Sequence, residues 1–338
     1  MKTPSLLLFA LSACCGSALA QSVIVPNSAA SVGTGNTVNT LLRNAGNPRT
    51  YQMGIAAAEL AGIPVGSVVT GLSFRGAVST ANPAAWPPSD TTWTNYDVTI
   101  GNGIPLGTWT GTYATNFSGT PVAARSGAMV IETGVFPNTA VLPAPNAWGE
   151  FYWDLQKPFV YTGGDLAILF AHNGSSQATS ALYLEYNISP PNTIAYSSAA
   201  YPSTSGTVNT AFCVIRIHYG YGSGCPGTGG MVPNLVLTND VKGGGTATFA
   251  AANGLASAPA AFVIGANQLS VSLPFGCTLL NDAVVAVPTT LSNYGRAKIS
   301  GTFPAGVAGV VYGQLFVVDA GAPFGIAASL GAKLTIKP

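Results

Sequence analysis

The sequence predicts an all-β protein, a jelly-roll-like β-sandwich followed by a smaller immunoglobulin-like β-sandwich. Three observations carry that prediction. Short runs of β-branched and aromatic residues recur along the chain, each closed by Gly, Pro, Asn or Ser. Charged residues are only 7% of the 338 and hydrophobic ones 48%, while 41 Gly and 24 Pro interrupt every long pattern. Such a balance buries many short strands rather than a few long helices. Beyond residue 233, turn signals recur about every ten residues, the spacing of an immunoglobulin-type sandwich.

The first element is a leader. Lys2, the apolar run LLLFAL and the small residues Ala18-Leu19-Ala20 form the pattern of a signal peptide over residues 1–20, cut before Gln21. Leu11-Ser12-Ala13-Cys14 also reads as a lipobox, in which Cys14 would carry a lipid anchor, and the two processing routes stay open. Either way the protein is secreted or held at the cell surface. No apolar run of transmembrane length follows position 20. An outer-membrane barrel fits poorly, because the strand-like runs lack a regular lipid-facing alternation.

Strand signals then dominate residues 21–219: VVTGLSFR, NYDVTI, AMVIE, EFYWDL, DLAILFAH, ALYLEY and FCVIRIHY. The single helical candidate is MGIAAAEL at 53–60, about two turns long, which could equally extend a strand. The proline-rich stretch from Ser79 to Thr94 reads as a long surface loop and a candidate binding surface. A second strand series fills residues 234–338, including TATFAAA, AFVIG, AKISGTF, GVVYGQLFVVD and KLTIK.

Between the two lies a Gly/Pro linker, residues 220–233. It contains a literal G-x-G-x-x-G at Gly222, Gly224 and Gly227. A dinucleotide fingerprint needs a helix to begin there so that its N-terminus meets the pyrophosphate. Pro226 interrupts the motif and Pro233 precedes an apolar strand, so the segment bends the chain instead.

Five cysteines are present, and without Cys14 and Cys15 three remain. Cys225 and Cys277 sit beside glycine in turn contexts and are predicted to form a disulfide, whereas Cys213 lies within the apolar run FCVIRI as a buried thiol. No C-x-x-C accompanies the two histidines, so no zinc site is expected. Calcium candidates Asp90, Asp97, Asp154 and Asp165 form no D-x-D-x-D run, and neither a metal nor a cofactor is predicted. With Lys2 removed the formal charges balance and no basic cluster exists, which argues against nucleic acid as a partner.

Catalytic patterns are thin. His172 and His218 fall at strand ends beside turn residues, where a solvated imidazole is expected, and no G-x-S-x-G presents a serine. Glu150 and Asp154 share a face of EFYWD, but at about 13 Å along a strand they exceed the roughly 5–9.5 Å between glycosidase carboxyls. The aromatic pattern is more suggestive. Trp86, Trp93, Trp109 and Trp148 lie in or near turns among Asn and Thr, the arrangement by which indoles stack on sugars.

VTGLSFRG, YDVTI, TYATNFSG and KPFVYTGGDLAILF in the first part, with GSGCPGTGG, GCTLL and GQLFVVDAGAPFGIAAS in the second, resemble a family of secreted β-sandwich proteins common in planctomycete-type bacterial genomes. These segments span most of residues 50–338. The resemblance implies a jelly-roll-like first domain and an immunoglobulin-like second one in extracytoplasmic proteins without assigned activity. It carries over no catalytic residue. Many such proteins end in a membrane-sorting tail, which KLTIKP does not resemble. The sequence thus favours a non-catalytic extracellular protein that binds polysaccharide or surface matrix through its loop tryptophans, with a secreted polymer hydrolase as the alternative. The binding reading expects at least two of those indoles exposed on one surface, and the hydrolase expects His172 or His218 beside a carboxylate and a hydroxyl in one cleft.

Overall fold

A computed structural model describes residues 21–179, 181–237, 241–274 and 276–338. The predicted leader over residues 1–20, Cys14 included, lies outside the described residues. The chain is all-β, and its sheets fall into two sets that share no strand.

The first set comprises β1 (Ser22–Val25), β2 (Arg49–Ile55), β3 (Val68–Phe74), β4 (Tyr96–Asn102), β5 (Val122–Arg125), β6 (Trp153–Val160), β7 (Leu166–His172), β8 (Thr193–Ser198) and β9 (Ile215–Gly220). One antiparallel sheet has the order β1-β9-β3-β6, and the facing one runs β8-β2-β7-β4-β5. Leaving aside β8, the strands are dealt between the sheets as in a jelly roll, with β4 and β5 the one successive pair that shares a sheet. The period of two sends Tyr51, Met53 and Ile55 of β2, Leu72 and Phe74 of β3, and Ile215 and Ile217 of β9 into a shared core with Trp153 and Phe170. MGIAAAEL divides: β2 runs through Ile55, and Ala57–Leu60 form a 3-10 turn. Ser22 pairs with His218, so this sandwich begins and ends at one place.

The second set comprises β10 (Asn234–Leu237), β11 (Val241–Lys242), β12 (Thr246–Ala252), β13 (Pro259–Gly265), β14 (Val285–Thr290), β15 (Ala297–Thr302), β16 (Gly309–Val318) and β17 (Ala332–Lys337). The sheets are β10-β12-β15 and β11-β17-β16-β13-β14. The short β11 runs parallel to β17 and the other pairs are antiparallel, an immunoglobulin-like arrangement. Phe249, Phe262, Leu315, Val317 and Leu334 fill its core.

Between the sets, Gly222 takes a positive φ of 70° and the motif leads only into a 3-10 turn at Thr228–Gly230. A disulfide joins Cys225 to Cys277, with Cα atoms 5.3 Å apart, and Cys213 is a buried free thiol. The bridge fastens the connecting segment to a hairpin formed by Gln268–Ser272 and Thr278–Asn281.

Candidate functional site at the junction

The chemistry-bearing residues converge where the sandwiches meet. In the sheet β1-β9-β3-β6, inward Leu72, Phe74, Trp153, Ile215 and Ile217 leave Ser73, Arg75, Asp154, Arg216 and His218 on the opposite face. That face is buried, not solvated. Asn234, which opens β10, donates to the carbonyls of Thr70 (2.9 Å) and Leu155 (3.0 Å), and Asn253 donates to Leu155 as well (3.0 Å). Tyr152 packs with Val236, Ala250 and Ala252, its hydroxyl donating to the carbonyl of Ala250 at 3.4 Å.

Under this roof the Nε2 of His218 and the Oγ of Ser73 are 2.7 Å apart. The imidazole is 2% exposed. Burial, and secondarily the charge of Arg216, pushes its pKa well below the usual histidine value, so the ring stays neutral. Asp154 shares a register row with Gly71 and His218, but its carboxylate faces Arg296 of the second sandwich at 3.5 Å. A serine nucleophile needs an opening for substrate and a carboxylate to orient its base. Ser73 is 4% exposed and Asp154 is turned to Arg296, so Ser73 and His218 form a hydrogen bond within a buried face.

Beside it Trp148, partly exposed, lies near two guanidiniums, Arg216 at 4.4 Å and Arg75 at 5.2 Å from the ring centre. Arg75 is ion-paired with buried Glu185 and donates to the carbonyls of Ala29 (2.6 Å) and Val32 (3.0 Å). At the rim is a cleft of about 120 Å³ lined by Glu132, Glu150, Phe151, Arg296 and Lys298, among others. Its charges are largely answered within it: Lys298 pairs with Glu150, and Arg296 lies over Phe151 at 4.5 Å while facing Asp154. Of three ion pairs among the described residues, two therefore cross from one sandwich to the other.

Several sequence expectations are corrected here. Trp86 is 0%, Trp93 1% and Trp109 7% exposed. The stretch from Ser79 to Thr94 folds back onto the core through two short strands, Ala85–Trp86 and Thr91–Trp93, setting Trp86 5.9 Å from Phe136 and Trp93 5.8 Å from Tyr96. Trp109 covers the outer face of β2, where a Cβ on Gly54 would come within 2.6 Å of its ring, and its Nε1 donates to the carbonyl of Ile104 at 2.9 Å. Trp148 alone reaches the surface, so the expected multi-indole face does not form. The histidines are not solvated either. His172 stacks on Tyr96 at 5.1 Å, accepts from the N–H of Gly174 at Nδ1, and is pushed down to about 4 chiefly by burial. His172 is enclosed by Tyr96, the Thr40 carbonyl and the turn at Gly174, whereas His218 is buried on the face that the second sandwich meets.

The acidic candidates are dispersed. Asp90 accepts from Thr133 and from the Tyr294 hydroxyl (3.1 Å), Asp97 from Tyr201 (2.7 Å), and Asp165 from the N–H of Ala57 (2.9 Å). Glu150 lies before β6 rather than on it. Among the described residues no group of three His, Cys, Asp or Glu side chains is placed to hold a metal, and no helix is long and apolar enough to cross a membrane.

Neither the family models nor the curated proteins contain a match to this chain. Among solved structures, a crystal structure of the group B streptococcus pilus 2b backbone protein aligns over 90% of this chain and 85% of its own, at 11% identity and a TM-score of 0.12. That likeness bears no weight for fold or role.

Proposed function

We propose that this chain is an exported, non-catalytic structural protein of the extracellular space or cell surface, in which two sandwiches are clasped into one unit. The observation that carries the reading is the junction itself. Ser73 and His218 bond to each other within the first sandwich and lie buried on the face that the second sandwich meets. Asn234, Asn253, Tyr152, Arg296 and Lys298 all bind across the same boundary. The leader-like N-terminus and the resemblance to secreted β-sandwich proteins support export.

The test uses residues 21–338 as a purified protein, offered chromogenic esters, peptides and a panel of insoluble polysaccharides. The expected result is no turnover and no retention on any polymer. Turnover that disappears in Ser73→Ala would establish the hydrolase. Specific retention on one polysaccharide would restore a binding role, through a surface that does not include the buried Trp86, Trp93 and Trp109.

A further inference from the structure

Gln21 stands immediately before β1 and touches both sandwiches. Its main-chain carbonyl accepts from the N–H of Tyr219 at 3.1 Å, and its side-chain Oε1 accepts from the backbone N–H of Lys333 on β17. The residue is half-buried. The leader reading makes it the first residue of the processed chain, and the present inference rests on that reading.

A glutamine at that position carries its own electrophile. The neutral α-amine can attack its own Cδ, forming a C–N bond that closes a five-membered lactam. The bond from Cδ to the side-chain nitrogen breaks, and that nitrogen leaves as ammonia after taking up the proton lost by the amine. No oxidant or second reactant is required. Negative charge develops on Oε1 as Cδ becomes tetrahedral, and the Lys333 N–H already points at that oxygen, a donor fixed in advance by the β17 backbone. The product keeps both carbonyl groups, the main-chain one that accepts from Tyr219 and the one derived from Cδ. It also removes the ammonium of a half-buried residue, where an unpaired charge is costly.

We propose that the mature protein begins with pyroglutamate at position 21, formed on the folded chain with the Lys333 N–H as its oxyanion donor. Mass spectrometry of the N-terminal peptide from exported protein tests the modification. A peptide starting at Gln21 and lighter by one ammonia is expected. One starting at Gln21 with an intact amine overturns the proposal alone, whereas a different first residue, lipidated Cys14 included, overturns the processing reading and the proposal together. A chain released with a free Gln21 from a cleavable fusion tests the donor. Ammonia loss should be faster in native buffer than in urea at the same pH, and an equal or slower rate when folded would remove the role given to Lys333.

Discussion

The first sandwich is filled with rings and the second largely with methyl groups. Trp153 lies 5.0 Å from both Phe74 and Phe151 and 5.9 Å from Tyr96, and Phe74 in turn meets Phe170 at 5.6 Å. The second core has Phe249 and Phe262 among Ala247, Ala251, Ala258, Ala260 and Ala332. Its periphery is thinly covered: the strand Gln268–Ser272 is exposed throughout, and Leu269, Val271, Val284 and Val285 are open to solvent. A smaller unit buries a smaller fraction of its surface, so it gains less from the hydrophobic effect per residue. The disulfide lies in this thin region, where a covalent restraint compensates for apolar area that is not buried.

That contrast can be broken most forcefully at its aromatic hub. Trp153→Ala should destabilise the first sandwich by about 3–5 kcal/mol, read as a shifted urea midpoint. An equal shift in a separately resolved transition of the second sandwich would mean that the two cores do not behave as distinct. Next comes the staple. Replacing Cys225 and Cys277 together by serine should cost about 2–4 kcal/mol, felt mainly in the second sandwich, and thermal unfolding with and without reductant gives the same comparison. A change of less than roughly 0.5 kcal/mol would show that the hairpin holds without it.

Acid should separate the two further. Both histidines lie in the first sandwich and both have folded pKa values below the unfolded value, His172 at about 4 and His218 well below 6.5. Each must stay neutral when folded, so its contribution is full above pH 6.5 and declines as pH falls, through about 4 for His172. From pH 6.5 to 5.5 the loss should be about 1 kcal/mol for His172, and His218 loses stability in the same direction. In the second sandwich Asp282 and Asp319 have lowered pKa values, held by hydrogen bonds that outweigh a desolvation effect of opposite sign. Their contribution survives to a more acid window, declining only below the ordinary carboxylate pKa. Hydrogen exchange at pH 5.5 should therefore show protection falling in the first sandwich before the second. The smallest effect is assigned to Lys298→Ala, whose ion pair with Glu150 is exposed on both sides, and no measurable change in midpoint is expected.

The strands were legible because apolar alternation and turn residues are local properties. DLAILFAH lies almost wholly within β7, and FCVIRIHY spans the short strand Ala211–Cys213 and most of β9. Glycine beside Cys225 and Cys277, against the apolar run around Cys213, likewise distinguished the disulfide from the free thiol. The site was far less legible. Periodicity says which side chains share a face of a strand, but not what comes to lie on that face. His218 falls at a strand end and reads as solvent-facing, yet it and Ser73 are buried on the face that β10 meets. The tryptophans misled for a related reason, since a proline-rich stretch can return to the core as readily as leave it. One local signal was present: a glycine inside a strand, as at Gly54, marks a close approach, and here the approaching group is Trp109.

Because Ser22 lies opposite His218, the entrance and exit of the first sandwich stand side by side, with the second sandwich starting at Asn234 after the connecting segment. In mechanical terms the jelly roll is a pendant rather than a link. A pull between the N-terminus and the second sandwich would load the short pairing of β1 with β9 from one end, opening it pair by pair, and would bypass most of the aromatic core. If the chain is held by its N-terminus, tension runs past the larger sandwich, which is free to face outward while the junction bears the force.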